Sequence, residues 1–242
     1  MFLYRTHEAP EEDKVKKLST FINNFGYHIH MGNEIRPKEI QKLLEKVEGT
    51  PQEALISRLA LRSMKQARYT PENAGHFGLA AQYYTHFTSP IRRTPVLHIP
   101  RIIKENLRGR LSDDRMAHYE KILPEVATQS SEMERRAEEA ERETVKLKKV
   151  QYMRERIGEV FEGVISGITK WGAYVELPNT IEGLVHVVNM KDDHYEYREE
   201  QYELVGEHFR NVYKLGQRVR VRVLGADRLQ RTIDFEFCEE NE

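Results

Sequence analysis

The stretch Tyr83-Tyr84-Thr85-His86-Phe87-Thr88-Ser89-Pro90-Ile91-Arg92-Arg93 holds the residue types best suited to chemistry on a phosphate. Aromatics and a histidine run up to Ser89-Pro90, and two adjacent arginines follow. A serine hydroxyl accepts an orphan backbone N–H at a helix start, so Ser89 is the expected N-cap. Proline at the first helical position loses no hydrogen bond, which suits Pro90. Arg92 and Arg93 then fall in the first turn, where unpaired N–H groups and the positive end of the helix dipole attract an anion. Guanidinium forks bind phosphate oxygens in pairs, and the upstream aromatics could stack on bases. The same pattern also fits a capped core helix with two surface arginines, and local physics leaves both readings open.

The elements around this stretch read as follows. Glu11 to Phe25 predicts a helix with Val15, Leu18, Ile22 and Phe25 on one face. Pro37 to Val47 predicts a second, with Ile40, Leu43, Leu44 and Val47 facing in. Thr50-Pro51-Gln52-Glu53 is a capping-box pattern that opens a third, with Leu55 and Leu59 expected to be buried. The helix from Ser89 contains Pro95 and Pro100, and an interior proline costs about 3 kcal/mol. Arg101, Lys104, Arg108 and Arg110 follow as a basic run, equally a solvated face or a groove. Ser131-Glu132-Met133-Glu134 is a second capping-box pattern, expected to open a long helix to about Arg156. In it Met133, Ala137, Ala140, Thr144 and Leu147 recur at the spacing of a narrow buried seam.

From Gly158 the period changes from helical to alternating. Val160, Val164 and Ile168, then Ala173 to Leu177, Ile181 to Val187, Val219 to Val223 and Thr232 to Phe237 give about five short strands. That count predicts a small OB barrel. The fold class expected is therefore α+β, with a mostly helical residues 1–153 and a barrel in 154–242. Trp171 follows Lys170 and precedes glycine in a turn-like setting, which favours a contact surface over core packing. Arg218, Arg220 and Arg222 alternate with valines and so line one face of one strand. Residues 191–213 form an acidic, tyrosine-bearing insertion of unassigned role.

The motif His86–Arg93 resembles the HFTSPIRR motif of the ribonuclease II / ribonuclease R family of processive 3′→5′ exoribonucleases. Leu61-Arg62-Ser63-Met64-Lys65-Gln66-Ala67 resembles the family's helix before it, and Gly75-His76-Phe77-Gly78-Leu79-Ala80 its adjoining loop. Residues 156–237 resemble the family's S1 RNA-binding domain. The resemblance implies that the first part is the C-terminal portion of the RNB exoribonuclease domain. It implies that Arg92 holds a phosphate at the scissile bond, that Arg93 braces the backbone and that His76 lines the RNA channel. Ala140-Glu141-Arg142-Glu143 resembles the family's Ala-Glu-Arg-Asp, which makes Glu141 a residue facing the active site. Trp171, Tyr174 and His186 fall where S1 domains present base-stacking side chains, and Asp227 and Arg231 match a polar pair at the last hairpin. Thr94, Val96 and Pro100 depart from the family pattern.

Phosphodiester hydrolysis of this kind uses Mg2+ ions held by three or four carboxylates. The aspartates Asp13, Asp113, Asp114, Asp192, Asp193, Asp227 and Asp234 form no spaced cluster, and no metal ligand is assigned. Met1 is expected to lie beyond the family's metal-binding segment. The lone histidines His76 and His86 have no second ligand at zinc spacing. The expected function is hydrolysis of single-stranded RNA to nucleoside monophosphates. The alternatives are a non-catalytic single-stranded RNA-binding module and an interaction scaffold built on the long helix.

Bulk composition bounds the rest. Of 242 residues, 32% are charged and 39% hydrophobic, and no apolar run approaches membrane-spanning length. The start, Met1-Phe2-Leu3-Tyr4-Arg5, leads into charge and not into a signal-type apolar region. Cys238 is the only cysteine, so no internal disulfide forms. A monomer in the cytoplasm is expected, with no membrane partner. The net charge of −1 is uneven: residues 154–242 hold 12 Lys/Arg against 18 Asp/Glu, or −6, leaving +5 in residues 1–153. An RNA surface on the acidic barrel must therefore be a local patch.

Overall fold

The computed structural model describes residues 2–30, 35–50, 52–88, 93–199 and 201–238. It divides into two compact units, Met1–Glu48 with Ile56–Glu139, and Gly49–Leu55 with Ala140–Glu242. The first unit holds a two-stranded antiparallel sheet, β1 (Tyr4–Thr6) on β2 (Arg68–Thr70). Around it lie α1 (Glu12–Asn23), α2 (Pro37–Val47), most of α3 (Glu53–Ser63), α4 (Thr94–Leu107) and the first part of α5 (Asp113–Arg154). The apolar spacing set these helices. In α1 the buried residues are Val15, Leu18, Phe21 and Ile22, and in α2 they are Ile40, Leu43 and Val47. In α3 the buried face is Ile56, Ala60 and Ser63, rotated from the expected Leu55 and Leu59. At its start Gly49 N–H, from the residue before the expected cap Thr50, donates to the Glu53 carboxylate at 2.8 Å.

The core of this unit is Leu3, Tyr69, Ile99, Ile102, Tyr119, Leu123 and Ala127. It explains three departures from the sequence reading. First, α4 begins at Thr94, with Pro95 in its first turn and Arg93 as an extended N-cap (φ −129°, ψ 96°). Arg93 therefore precedes the helix instead of standing in its first turn. Ser89, Pro90 and Arg92, which carried the rest of that expectation, lie outside the described residues. Second, the helix runs through Pro100, because burial of Ile99 and Ile102 offsets the missing hydrogen bond.

Third, α5 is one helix of 42 residues that passes through Pro124 and does not start at Ser131. Ser131 is buried and bridges two elements: its hydroxyl donates to Ala127 C=O at 2.9 Å and accepts from Tyr69 N–H at 2.9 Å. The capping-box pattern there is a tertiary hydrogen bond to β2. The expected apolar seam is also absent. Met133, Ala137, Ala140 and Thr144 are exposed, and the helix is buried at Tyr119, Leu123 and Ala127 early and at Val150 and Met153 late. Its charged middle is solvated, so small residues there record helix propensity and not close packing.

The second unit is built on a closed five-stranded barrel in the order β10-β5-β4-β3-β9. The strands are β3 (Val160–Thr169), β4 (Gly172–Glu176), β5 (Glu182–His186), β9 (Arg218–Asp227) and β10 (Thr232–Phe237). Ile165, Ala173, Val175, Val185, Val221, Val223 and Phe235 fill it, each at most 1% exposed. The insertion forms its own antiparallel sheet, β6 (Tyr195–Arg198), β7 (Glu203–Gly206) and β8 (Val212–Lys214). It is tied to the barrel by Tyr213, stacked on Phe237 with centroids 4.2 Å apart.

Ser131→Ala removes the hydroxyl that accepts from the Tyr69 N–H, and an orphaned buried donor costs about 1–3 kcal/mol. We expect the urea midpoint of the variant to fall accordingly. An unchanged midpoint would show that the bridge from α5 to β2 contributes nothing.

Candidate nucleic-acid interface

In the first unit, the segment leading into the motif is held along β1. Arg5 N–H donates to Tyr84 C=O at 2.9 Å, and the Thr85 hydroxyl donates to Leu3 C=O at 2.8 Å. Side chains then form a continuous run of edge-on ring contacts. The His7 and His76 centroids are 5.1 Å apart, His76 and Tyr84 5.0 Å, Tyr84 and His86 5.8 Å, and His86 and Tyr69 5.7 Å. Tyr69 Oη lies 2.6 Å from His86 Nδ1. The Arg5 guanidinium sits 4.7 Å over the Tyr69 ring and pairs with Glu134. His7 Nδ1 accepts from Gly78 N–H at 3.0 Å, which puts the proton of the neutral ring on Nε2.

Two of these imidazoles, His76 and His86, are held in surroundings that disfavour the charged form. Burial lowers the pKa of His76, and His7 and Arg5 add to the effect. Burial likewise lowers His86, aided by Arg93 and Arg5. His98 on α4 is lowered by burial and by Arg101. His76 Nδ1 is buried with no hydrogen-bond partner among the described residues. His76 itself stands half-buried within this run of ring contacts. The basic run Arg101, Lys104, Arg108 and Arg110 is exposed throughout.

In the second unit, the alternation of β4 and β5 decides what faces out. Ala173, Val175, Gly183 and Val185 point inward, while Tyr174, Leu184 and His186 are half-buried on the outer surface. Tyr174 stands directly opposite Leu184, and Gly172 opposite His186. Trp171 sits in the β3–β4 turn, 56% exposed, with its ring 6.5 Å from that of His186 and Lys170 Nζ 4.9 Å from its centroid. So Trp171, Tyr174 and His186 do share one face, and Trp171 is not a core residue. Leu184, Lys170 and the 77% exposed Val188 belong to the same surface. Sequence reasoning missed them, though the doubled valine at 187–188, breaking the alternation, was a usable signal.

The polar candidates are dispersed. Asp227 accepts from Leu229 N–H (2.7 Å) and Gln230 N–H (2.9 Å), which closes the β9–β10 hairpin. Arg231, at φ +57°, pairs with Glu143 on α5. Nothing in the sequence announced that pairing. Glu141, two residues away, is exposed. Arg218 and Arg220 are exposed on β9, but Arg222 bonds Glu236 at 3.1 Å, and Glu162 stands opposite Arg220. The arginines pair with Val160 to Val164 of β3, whereas the aromatic face pairs with Gly167 to Thr169, beyond a bulge. Stripe and stacking face thus occupy different halves of one strand.

Two family models match the chain: the RNB domain over residues 1–109 and the S1 RNA binding domain over residues 154–237. Ribonuclease R 1 of Lactococcus lactis is 45% identical over 98% of this chain and 29% of that protein. The chain belongs to the ribonuclease R family. Ribonuclease R of Aquifex aeolicus is 43% identical over 99% of this chain and 34% of its own length. RNase R of Mycoplasma genitalium, solved free and with ribose-methylated single-stranded RNA, superposes with a TM-score of 0.90 in both forms. It is 25% identical to this chain, and the match covers 98% of this chain and 38% of that one. The chain therefore spans about a third of the length of these relatives. The family implies a divalent metal in the full enzyme. Among the described residues no group of three or more His, Cys, Asp or Glu could hold one.

The lowered histidines set a pH dependence. Between their folded values and the ordinary 6.5, the unfolded chain binds more protons than the folded one. Their contribution is complete above about pH 6.5 and is lost as pH falls below it. The lowered carboxylates Glu8, Glu105 and Asp193 act only below their ordinary 3.8–4.5. The urea midpoint should therefore be lower at pH 5.5 than at pH 7.5, and less so in His86→Gln. A midpoint that rises at pH 5.5 would mean the ring stack holds imidazolium.

Proposed function

We propose that this chain is the RNA-holding portion of a ribonuclease R-type 3′→5′ exoribonuclease, and that its barrel grips single-stranded RNA. The observation that carries this reading is the outward face of β4 and β5, where an exposed tryptophan, a tyrosine and a histidine lie together. Aromatic faces of this kind stack on any base, and each stacked base is worth roughly 1–3 kcal/mol. The S1 match over residues 154–237 and the relative solved with single-stranded RNA support the choice of ligand.

Roles in the first unit follow from the family. Arg92 would hold the phosphate at the scissile bond and stabilise its developing charge. Arg93, extended ahead of α4, would brace the next phosphate, and Glu141 would orient the leaving end or a water. The run from Arg5 through Tyr69 to His86 positions the segment that leads into Arg92. These groups bind and orient. They cannot generate hydroxide, because one carboxylate does not hold two hard cations that each want several oxygens.

The chain by itself is therefore expected to bind RNA without shortening it. Trp171 is the only tryptophan, so quenching of its fluorescence reports the face directly. Trp171→Ala, followed by anisotropy of labelled poly(A), should weaken binding about tenfold or more. Undiminished affinity would remove the barrel face from the proposal. With magnesium or manganese, end-labelled RNA should stay full length on a denaturing gel. Stepwise loss from the 3′ end would reveal a metal site formed by this chain.

A further inference from the structure

The insertion carries one large apolar side chain pushed into solvent. Phe209 is 71% exposed, at the turn between β7 and β8. Isolated exposed apolar residues are ordinary on protein surfaces, so exposure alone decides nothing. What sets Phe209 apart is how firmly its backbone is held. The Asp193 carboxylate, fully enclosed, accepts from Phe209 N–H at 2.8 Å, from His208 N–H at 3.0 Å and from His194 N–H at 2.7 Å. His208 Nδ1 lies 2.9 Å from the same carboxylate. Burial pushes this carboxyl up, but the bonds from Phe209, His208 and His194 outweigh it and hold it at about 2, so the anchor stays charged under ordinary conditions. Arg210 beside it is locked at φ +60°. Ordering a turn this fully while leaving its aromatic uncovered is the pattern of a preorganised contact.

We propose that Phe209 is a second base-stacking platform, which extends the single-stranded RNA path from the Trp171 face onto the insertion. The proposal rests on the RNA-binding reading above. Continuity argues for it. The insertion leaves the barrel directly after His186, through the exposed Val188, and Asp193 is five residues further on. At about 3.4 Å per residue the anchor lies within roughly 17 Å of Val188. Charge fits stacking and not phosphate binding. Glu203 is engaged by Arg198 and Lys214, and Glu207 stands 4.0 Å from His194. The insertion keeps a net negative charge, with three Lys/Arg against seven Asp/Glu over residues 191–213. A platform of this type adds affinity without adding to the salt dependence.

The test compares the parent chain, Phe209→Ala and Phe209→Trp on oligoadenylates of about 4 and about 12 nucleotides. Binding is read by anisotropy, and in the parent and Phe209→Ala also by Trp171 quenching. Phe209→Ala should bind the longer strand at least about fivefold more weakly, with 4-mer affinity and Trp171 quenching retained. Phe209→Trp should restore binding of the longer strand by anisotropy, and the slope of affinity against salt should be the same in all three. Equal 12-mer affinity of Phe209→Ala and parent, with quenching intact, overturns the platform and leaves the barrel reading standing. A parent that shows neither quenching nor binding overturns both.

Discussion

The stacking face depends on one close approach of backbone to backbone. At Gly172, φ is +146°, and a Cβ there would lie 2.0 Å from the Val185 carbonyl oxygen. No side chain fits, and the conformation is one that only glycine adopts without strain. This lets the β3–β4 turn fold flat against the end of β5, where Val187 N–H reaches the Trp171 carbonyl at 3.0 Å. The indole is thereby set beside His186. Without the contact, the turn would stand off the barrel and Trp171 would be an isolated exposed ring. Gly183, where a Cβ would strike the Phe235 ring at 2.6 Å, makes a similar fit inside and lets the barrel close around its largest core residue.

Much of this was legible because the barrel and the short helices are two-sided. An inner face of Ala173, Val175, Val185, Val221 and Val223 forces the alternation that also exposes Tyr174, His186 and the arginines. The bounds of α2 follow from Pro37 and from the spacing of Ile40, Leu43 and Val47. What failed was local chemistry with more than one use. Ser131 with Glu134 has the composition of a cap, yet the serine serves β2 from the middle of α5. Pro95 and Pro100 carried a cost in the helix expected from Ser89, and the start at Thr94 absorbs the first while the core covers the second. Long-range pairings such as Arg231 with Glu143 leave no periodic trace, so they could not be read.

Electrostatics in the second unit is arranged by subtraction. Its arginines are numerous enough for a phosphate track, but Arg222 and Arg231 are committed to Glu236 and Glu143. Arg218 and Arg220 stay exposed beside one half of β3, and Lys170 lies over the indole beside the other. Under the proposed function, a domain of this charge would hold RNA by its bases more than by its backbone.

The anchor in the insertion grips amide hydrogens far more than side chains. Three of the four groups on the Asp193 carboxylate are backbone N–H, and Gly206 leaves its oxygen room where a Cβ would come within 2.4 Å. Conformation and identity are thereby uncoupled at the tip. Aspartate and glycine are fixed by the geometry, while position 209 holds the turn through its backbone N–H and leaves its side chain uncommitted. Such a loop is a module in which ligand preference can drift while the barrel beneath it stays unchanged.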